Sequence, residues 1–465
     1  MESVDSSGVE ERGVPRDFKR LLIVGAGASG MLAAVSARLA ARGLGIGDAS
    51  LRISLLERNP RPGAKIAISG GGHCNITHDG PVDTLLEKGF LRKNELRFVK
   101  PSIYAFTNED LLAMLARYGV PTSAREDGRV FPVSGVARDV LEAIRRMLRD
   151  VSAEVVTGTR VDALEVPGER FLLRAGDGRF EADAVILAAG GSAWGSSGTT
   201  GDGVRLASSV GHSIVTVIPA LAPVFFTQPP DPGLVGVTLR GVGLVVESGK
   251  LSDSRRGDLL VSHRGISGPA CLSLSRSVAA MMAGGGEAPR LFADLFPCHD
   301  EPAVSAFLLG RSSRNGSQFV RTFLQRCPLA PDLTSPGAAP GGDTIPNAFV
   351  PEIMRRAGID DGQTMSVLSR RQRRELVSVL KRFELGRARK VPLDKAEVSA
   401  GGVSLSEIDP KTMESRLHRR LYCCGELLDY AGEVGGFNLQ AAFSTGWTAG
   451  RSAVQSLFGS RSAGA

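Results

Sequence analysis

The residues able to do chemistry gather first at Gly25-Ala26-Gly27-Ala28-Ser29-Gly30, a G-x-G-x-x-G. Glycines at that spacing suit a diphosphate: one makes a tight turn, one admits the anion to the backbone, and one lets a helix pack closely on a strand. The helix start adds free N–H groups and the positive end of its dipole. Glu57, followed by Arg58, stands where a strand should end, and a carboxylate there accepts the two hydroxyl hydrogen bonds a ribose offers. Next comes Lys65-Ile66-Ala67-Ile68-Ser69-Gly70-Gly71-Gly72-His73-Cys74-Asn75. Three consecutive glycines before polar residues suit a backbone passing close to a flat or phosphorylated ligand. A Gly-rich pattern returns late, at Gly425-Glu426 and Gly435-Gly436-Phe437-Asn438-Leu439. His73, Cys74 and His78 lack a fourth ligand in sequence, so no metal site is expected. Adjacent Cys423-Cys424 lack the C-x-x-C spacing of a redox dithiol and read as strand.

These groups need elements to hold them. Leu21 to Val24 is a wholly apolar run that reads as a buried parallel strand, and a helix follows from Met31 to Gly43. Leu51 to Leu56 reads as a second parallel strand, its arrival delayed by a loop over Gly43 to Ser50. Helices are expected at Asn108 to Tyr118, with Thr107 and Asp110 in capping-box spacing, and at Val136 to Leu148, with Val136, Val140, Ile144 and Met147 on one packing face. Val161 to Val166 and Arg170 to Ala175, punctuated by Pro167-Gly168 and Asp177-Gly178, read as a β-meander leading to a buried strand at Ala184 to Ala189, which ends in Gly190-Gly191.

A second region, 205–391, changes character. Thr216 to Phe226 and Val235 to Val246 are β-like; Leu259 to His263 reads as a strand that turns through Arg264 to Gly268 into a helix opened by Pro269. Glu301 to Cys327 and Thr364 to Leu385 read as helices, the latter with Met365, Leu368, Leu376, Leu380 and Phe383 on one face, and Ser335 to Pro346 as a Pro/Gly linker. The last region, from 392, holds the strand Arg420 to Cys424 and a helix opened at Gly435 to Gln440.

With 465 residues, 42% apolar and 23% charged, the chain suits two or three globular domains. No apolar run reaches a membrane span, and the polar first 17 residues read as a disordered tail rather than a secretory signal. Six scattered cysteines fit reduced thiols and a cytoplasmic setting. The net charge of +7 permits an acidic cofactor, substrate or nucleic acid without requiring one.

Several long matches coincide. The chain resembles the bacterial flavoprotein family that includes aminoacetone oxidases and bile-acid enone reductases. The resemblance lies in the N-terminal fingerprint, Lys65 to His78, Ala188 to Ala193, Thr200 to Gly203, Ser262 to Ala270, Ala396 to Val403, Thr412 to Ser415, and Gly425 to Gln440. His73 stands where the family has Arg, and His78 where it often has Asn. The resemblance implies an α/β fold: a Rossmann-like FAD-binding domain (18–204 and 392–465) with an inserted β-rich then helical cap (205–391).

It also implies the site. Gly25 to Gly30 would take the FAD diphosphate, Glu57 the adenosine ribose, Val161 the adenine through its backbone, and Ser69 to Asn75 the flavin edge. Gly425-Glu426 would face the ribityl-phosphate end, and the helix opened at Gly435 to Leu439 would aim its N-terminus at the flavin pyrimidine edge. Arg58, Lys65, Ala189 and Gly190 complete the cofactor set, and His263 is the candidate for facing substrate. The expected enzyme is an FAD-dependent oxidoreductase of a small organic substrate, reducing a conjugated C=C bond or oxidising an amine, with NAD(P)H as a transient donor. The alternative from another class, carried by charge alone, is an RNA-associated flavoprotein.

Overall fold

The computed structural model describes residues 18–328 and 344–459. The expected tail, and the expected linker up to residue 343, lie outside them. The chain divides into two compact units, at 217/218 and 397/398, where the resemblance implied 204/205 and 391/392.

In the first unit a five-stranded, all-parallel sheet runs in the order Leu421–Cys423, Ala184–Leu187, Lys19–Val24, Leu51–Leu56, Glu154–Val156. Both faces of such a sheet are covered, so its strands read as continuous apolar runs: Ala184 to Leu187 is buried at every position. The helix Ala28–Gly43 follows the first strand, and the 22-residue helix Phe437–Phe458 packs beside it. Their backbones nearly touch. A Cβ on Gly446 would lie 2.1 Å from the Ser29 carbonyl oxygen, and one on Gly450 would lie 2.0 Å from that of Ala33. The meander forms a three-stranded antiparallel sheet, Ala163–Glu165, Phe171–Ala175 and Gly178–Ala182.

The second unit is built on a closed six-stranded barrel: Val224–Phe226, Gly265–Ser267, Leu251–Ser262, Thr238–Ser248, Arg290–Asp294, Phe383–Lys390 and back to the first. Every pairing is antiparallel. Closure leaves no open sheet edge, and Val224, Phe226, Leu244, Val246, Val261 and Leu291 are among the buried residues of its strands. Helices Pro269–Ala283, Glu301–Arg314, Val320–Gln325, Phe349–Ala357 and Arg370–Lys381 accompany it.

Local readings fail where a neighbouring element overrides periodicity. Val136 is the N-cap residue of Ala137–Asp150 and is exposed rather than packed. The helix expected through Leu385 stops at Lys381, and Phe383 begins a barrel strand whose ladder to Arg290–Asp294 supplies its backbone partners. Phe383 stays buried, so the apolar pattern was sound but its period was not. Glu301 to Cys327 is two helices rather than one, broken where Gln318 and Phe319 pair with the segment around Thr364. The strand expected to reach His263 ends at Ser262; His263 and Arg264 form the hairpin turn to Gly265–Ser267.

Candidate functional site

The first unit brings four separate sequence segments together. In the fingerprint each glycine has its own reason. Gly25 sits at φ +101°, and a Cβ there would meet the Ala188 oxygen at 2.6 Å. Gly30 faces the Gly25 oxygen, 2.0 Å from a would-be Cβ, so strand and helix close on each other only without a side chain. Gly27, the N-cap of the helix, has nothing within 4 Å of a would-be Cβ. Two glycines therefore serve packing, while the third leaves bare backbone beside open space at a helix N-terminus.

Glu57, 7% exposed, ends the second strand as expected. One carboxylate oxygen accepts the Ala26 N–H at 2.8 Å and the other accepts the Asn59 N–H at 2.8 Å. Those bonds fix the carboxylate beside the fingerprint, and each oxygen keeps a lone pair for a hydroxyl donor. The Thr159 N–H donates to the Glu57 carbonyl, which places Val161, two residues on, near the same strand end. Val161 has a buried side chain, and its carbonyl accepts from Arg205. Arg58 turns elsewhere: it donates to Thr200 at 2.6 Å and to Asp202 at 3.2 Å. Arg160 grips Asp202 bidentately at 2.7 and 3.0 Å, and with Thr200 and Arg58 holds its carboxyl down at about 2.

The Lys65–Asn75 segment is a short helix, Ala64–Ile68, running into a tight turn. Gly70, Gly71 and Gly72 have φ of +57°, +68° and +89°, and would-be Cβ atoms on Gly71 and Gly72 meet nothing within 4 Å. His73 is exposed, its Nδ1 2.8 Å from the Gly135 carbonyl oxygen. Cys74 is buried, which pushes its thiol up to about 11 and leaves it inert. Asn75, with its amide turned to suit both partners, accepts from Gly436 N–H and donates to the Thr77 carbonyl. His78 is buried and stacks on Phe437 with ring centroids 4.8 Å apart; burial lowers its pKa and keeps it neutral.

The late Gly-rich segments close on these. Gly425, at φ +73°, would place a Cβ 2.4 Å from Ser29 Oγ, so it lies directly against the fingerprint helix. Lys65 donates to Glu426, whose other oxygen accepts Ser399 N–H at 2.8 Å and Ser399 Oγ at 3.1 Å; Ser399 Oγ accepts Ser192 N–H at 3.0 Å. A Cβ on Gly191, one residue after Ala189-Gly190, would strike both Ser399 and Glu426. Gly436, at φ +88°, caps the long helix against the Thr77 carbonyl, and Gly435 precedes it at φ +150°. Asn438 exchanges two hydrogen bonds with the Gly432 backbone, at 2.7 and 2.9 Å, pinning the loop before the helix. Phe437 is buried and Leu439 is half-buried against the core.

Residues 19–452 match the family described as HI0933-like protein Rossmann domain. The chain is 32% identical to the 3-dehydro-bile acid delta(4,6)-reductase of Clostridium scindens, over 94% of this chain and 100% of that one. The chain belongs to the HI0933-like family of FAD-dependent flavoproteins. It is also 27% identical to the ribosomal RNA dihydrouridine synthase of Haemophilus influenzae, over 92% of this chain and 97% of that one. A 3-ketosteroid delta1-dehydrogenase structure from Sterolibacterium denitrificans, solved with 1,4-androstadiene-3,17-dione, is 13% identical with a TM-score of 0.48, covering 95% of this chain and all of that one.

As a member of this family the protein is an FAD-dependent oxidoreductase. Its residues fit that group: open space at Gly27, Gly71 and Gly72 where side chains would intrude, and Glu57 held ready with spare acceptor capacity. Sequence reasoning missed Ser399, Ser192 and the Arg160–Asp202 pair. Ser399 lay inside the Ala396–Val403 block, but nothing local to it signals a partner 27 residues away. His263, in the second unit, is an exposed turn residue. Among the described residues no helix is long and apolar enough to cross a membrane.

Proposed function

We propose that the protein reduces a C=C bond conjugated to a carbonyl in a small organic substrate, with NAD(P)H as the electron donor. The observation that carries this reading is the end-to-end match to a delta(4,6)-reductase, spanning all of that relative's length. Bound FAD supplies the two-electron relay between donor and substrate. Gly25 to Gly30 hold its diphosphate, Glu57 the adenosine ribose, Val161 the adenine, and Ser69 to Asn75 with Ala189 and Gly190 the adjoining backbone wall. Lys65, Gly425 and Glu426 set the far end, and the segment Gly435 to Leu439 presents, at Phe437 to Leu439, the N–H groups that a first helical turn leaves unpaired, which favour negative charge. Arg58 supports the adenosine side through Thr200 and Asp202. His263 is the proposed substrate-facing residue of the second unit.

The overall change adds hydride to the β-carbon and a proton to the α-carbon while NAD(P)H becomes NAD(P)+. The test is anaerobic mixing of the dithionite-reduced holoenzyme with a panel of conjugated enones, beside peroxide release from amines in air. Reoxidation by enones with saturated product supports the reading; peroxide from amines with inert enones would overturn it.

A second reading is favoured by the relatives named as ribosomal RNA dihydrouridine synthases, at 27% and 26% identity. The C5=C6 bond of uracil is itself conjugated to a carbonyl, so the same chemistry would apply to a base in RNA. Mass analysis of uridine-containing RNA after turnover separates the two.

A further inference from the structure

We propose that the second unit carries a docking surface for single-stranded RNA, on the barrel face around Phe225. Residues 218–397 contain 23 basic and 17 acidic residues, a net +6, so nearly all of the chain's +7 resides there. Part of the excess gathers around one aromatic ring. Phe225 lies between buried Val224 and Phe226 and is itself only half-buried. The Arg264 guanidinium sits 4.3 Å from its ring centroid and the Lys395 ammonium 5.6 Å. Lys390 is its ladder partner, Arg389 is the extra residue at the bulge in that ladder, and Arg387 accepts the Thr227 N–H at its carbonyl.

Arg264, Arg387, Arg389, Lys390 and Lys395 are all exposed, and among the described residues none of the five forms an ion pair. Some other cations of the unit are paired: Arg290 with Glu384, Arg355 and Arg356 with Glu352, Arg382 with Glu247, and Arg255 with Asp253. In the stretch 387–397 four of these cations stand with two carboxylates, Asp394 and Glu397. Clustered cations repel one another until an anion arrives, and a lone carboxylate would satisfy only one of them. A phosphodiester chain carries one charge per nucleotide and so answers several cations at once. The aromatic sharpens the choice of partner. A guanidinium lying over a ring offers its other face to a flat group, and unpaired bases supply such groups where a duplex hides them.

The proposal adds to the second reading above and rests on it only for choosing RNA over DNA. The test uses the full-length, FAD-loaded protein and a fluorescein-labelled oligouridylate, with binding followed by anisotropy across a salt series. Five contacts predict a slope of log affinity against log salt of about −3.5, at about 0.7 per phosphate on a single strand. Arg264→Gln with Lys390→Gln should make the slope shallower by about 1.4, whereas Arg373→Gln with Arg374→Gln, on the helix Arg370–Lys381, should leave it unchanged. The duplex of equal length should bind more weakly. No binding at low salt, an unchanged slope in the Arg264/Lys390 variant, or equal affinity for the duplex would overturn the proposal. Gain of two hydrogens in uridine is scored separately by mass, so failure of RNA docking and failure of uridine reduction are read apart.

Discussion

Lys65 and Glu426 stand 361 residues apart in the chain, yet the ammonium of one donates to the carboxylate of the other. The pair joins the short helix before the triple-glycine turn to the 3₁₀ turn Gly425–Leu427, and Ser399 completes it. Its members are partly exposed, 31% and 18%, so solvent screens the charge and its value is positional more than energetic. A double-mutant cycle over Lys65→Met and Glu426→Gln should give a coupling of about 1 kcal/mol in thermal unfolding. Each single variant should also weaken FAD retention on dilution; unaltered retention in both would remove the pair from the site.

The fingerprint glycines separate by experiment. Gly30→Ala drives a methyl into the Gly25 carbonyl and should cost about 1–3 kcal/mol of stability. Gly27→Ala meets open space and should leave the melting temperature of the FAD-free protein unchanged while lowering FAD occupancy. Equal destabilisation by both, measured by calorimetry of the FAD-free proteins, would contradict the division of labour.

Acid should loosen the Arg160–Asp202–Arg58 cluster. The Asp202 carboxyl titrates at about 2 in the folded chain, below its ordinary value of 3.8. A depressed carboxylate lends stability that is fully present above the unfolded value and is lost as pH falls from about 4 toward about 2. Asp202→Asn should flatten that part of the stability–pH curve and be least stable relative to the parent near neutrality. Urea midpoints across this range test it.

His212 lies between Glu407, 2.9 Å from its Nδ1, and Ser415, 3.0 Å from its Nε2. The order matches a nucleophile–base–acid relay, but Ser415 Oγ already accepts the N–H groups of Leu417 and His418 at 3.1 Å and is buried. It is a clasp holding the loop before Leu421–Cys423. Ser415→Ala should cost about 1–2 kcal/mol in unfolding, and a serine-directed phosphonate should leave the protein unlabelled.

What the sequence made legible was local grammar. Strand, turn and helix at Leu21 to Gly43 follow from apolar run, glycine spacing and helix formers, all within one stretch. The Thr107–Asp110 capping box is present for the same reason, its two partners three residues apart. Phe383 was misplaced because buried apolar residues look alike in a helix and a strand until the pairing partner, here Arg290–Asp294, is known. Ser399, Arg160 and the close approach of Gly446 and Gly450 escaped because each is defined by a residue far away in sequence. The site is thus half motif, which a reader of sequence can find, and half assembly, which only the fold supplies.

The backbone contact of Gly446 and Gly450 with Ser29 and Ala33 has a consequence for how the protein is made. The fingerprint helix leaves the ribosome early, and its partner follows only after the whole second unit has been synthesised. Until Phe437–Phe458 emerges, one flank of that first helix stays bare and the Gly425 N–H lacks its partner, the Thr445 hydroxyl. Nascent chains therefore carry a recognisable fingerprint but no completed binding site, and cofactor loading waits for the last helix.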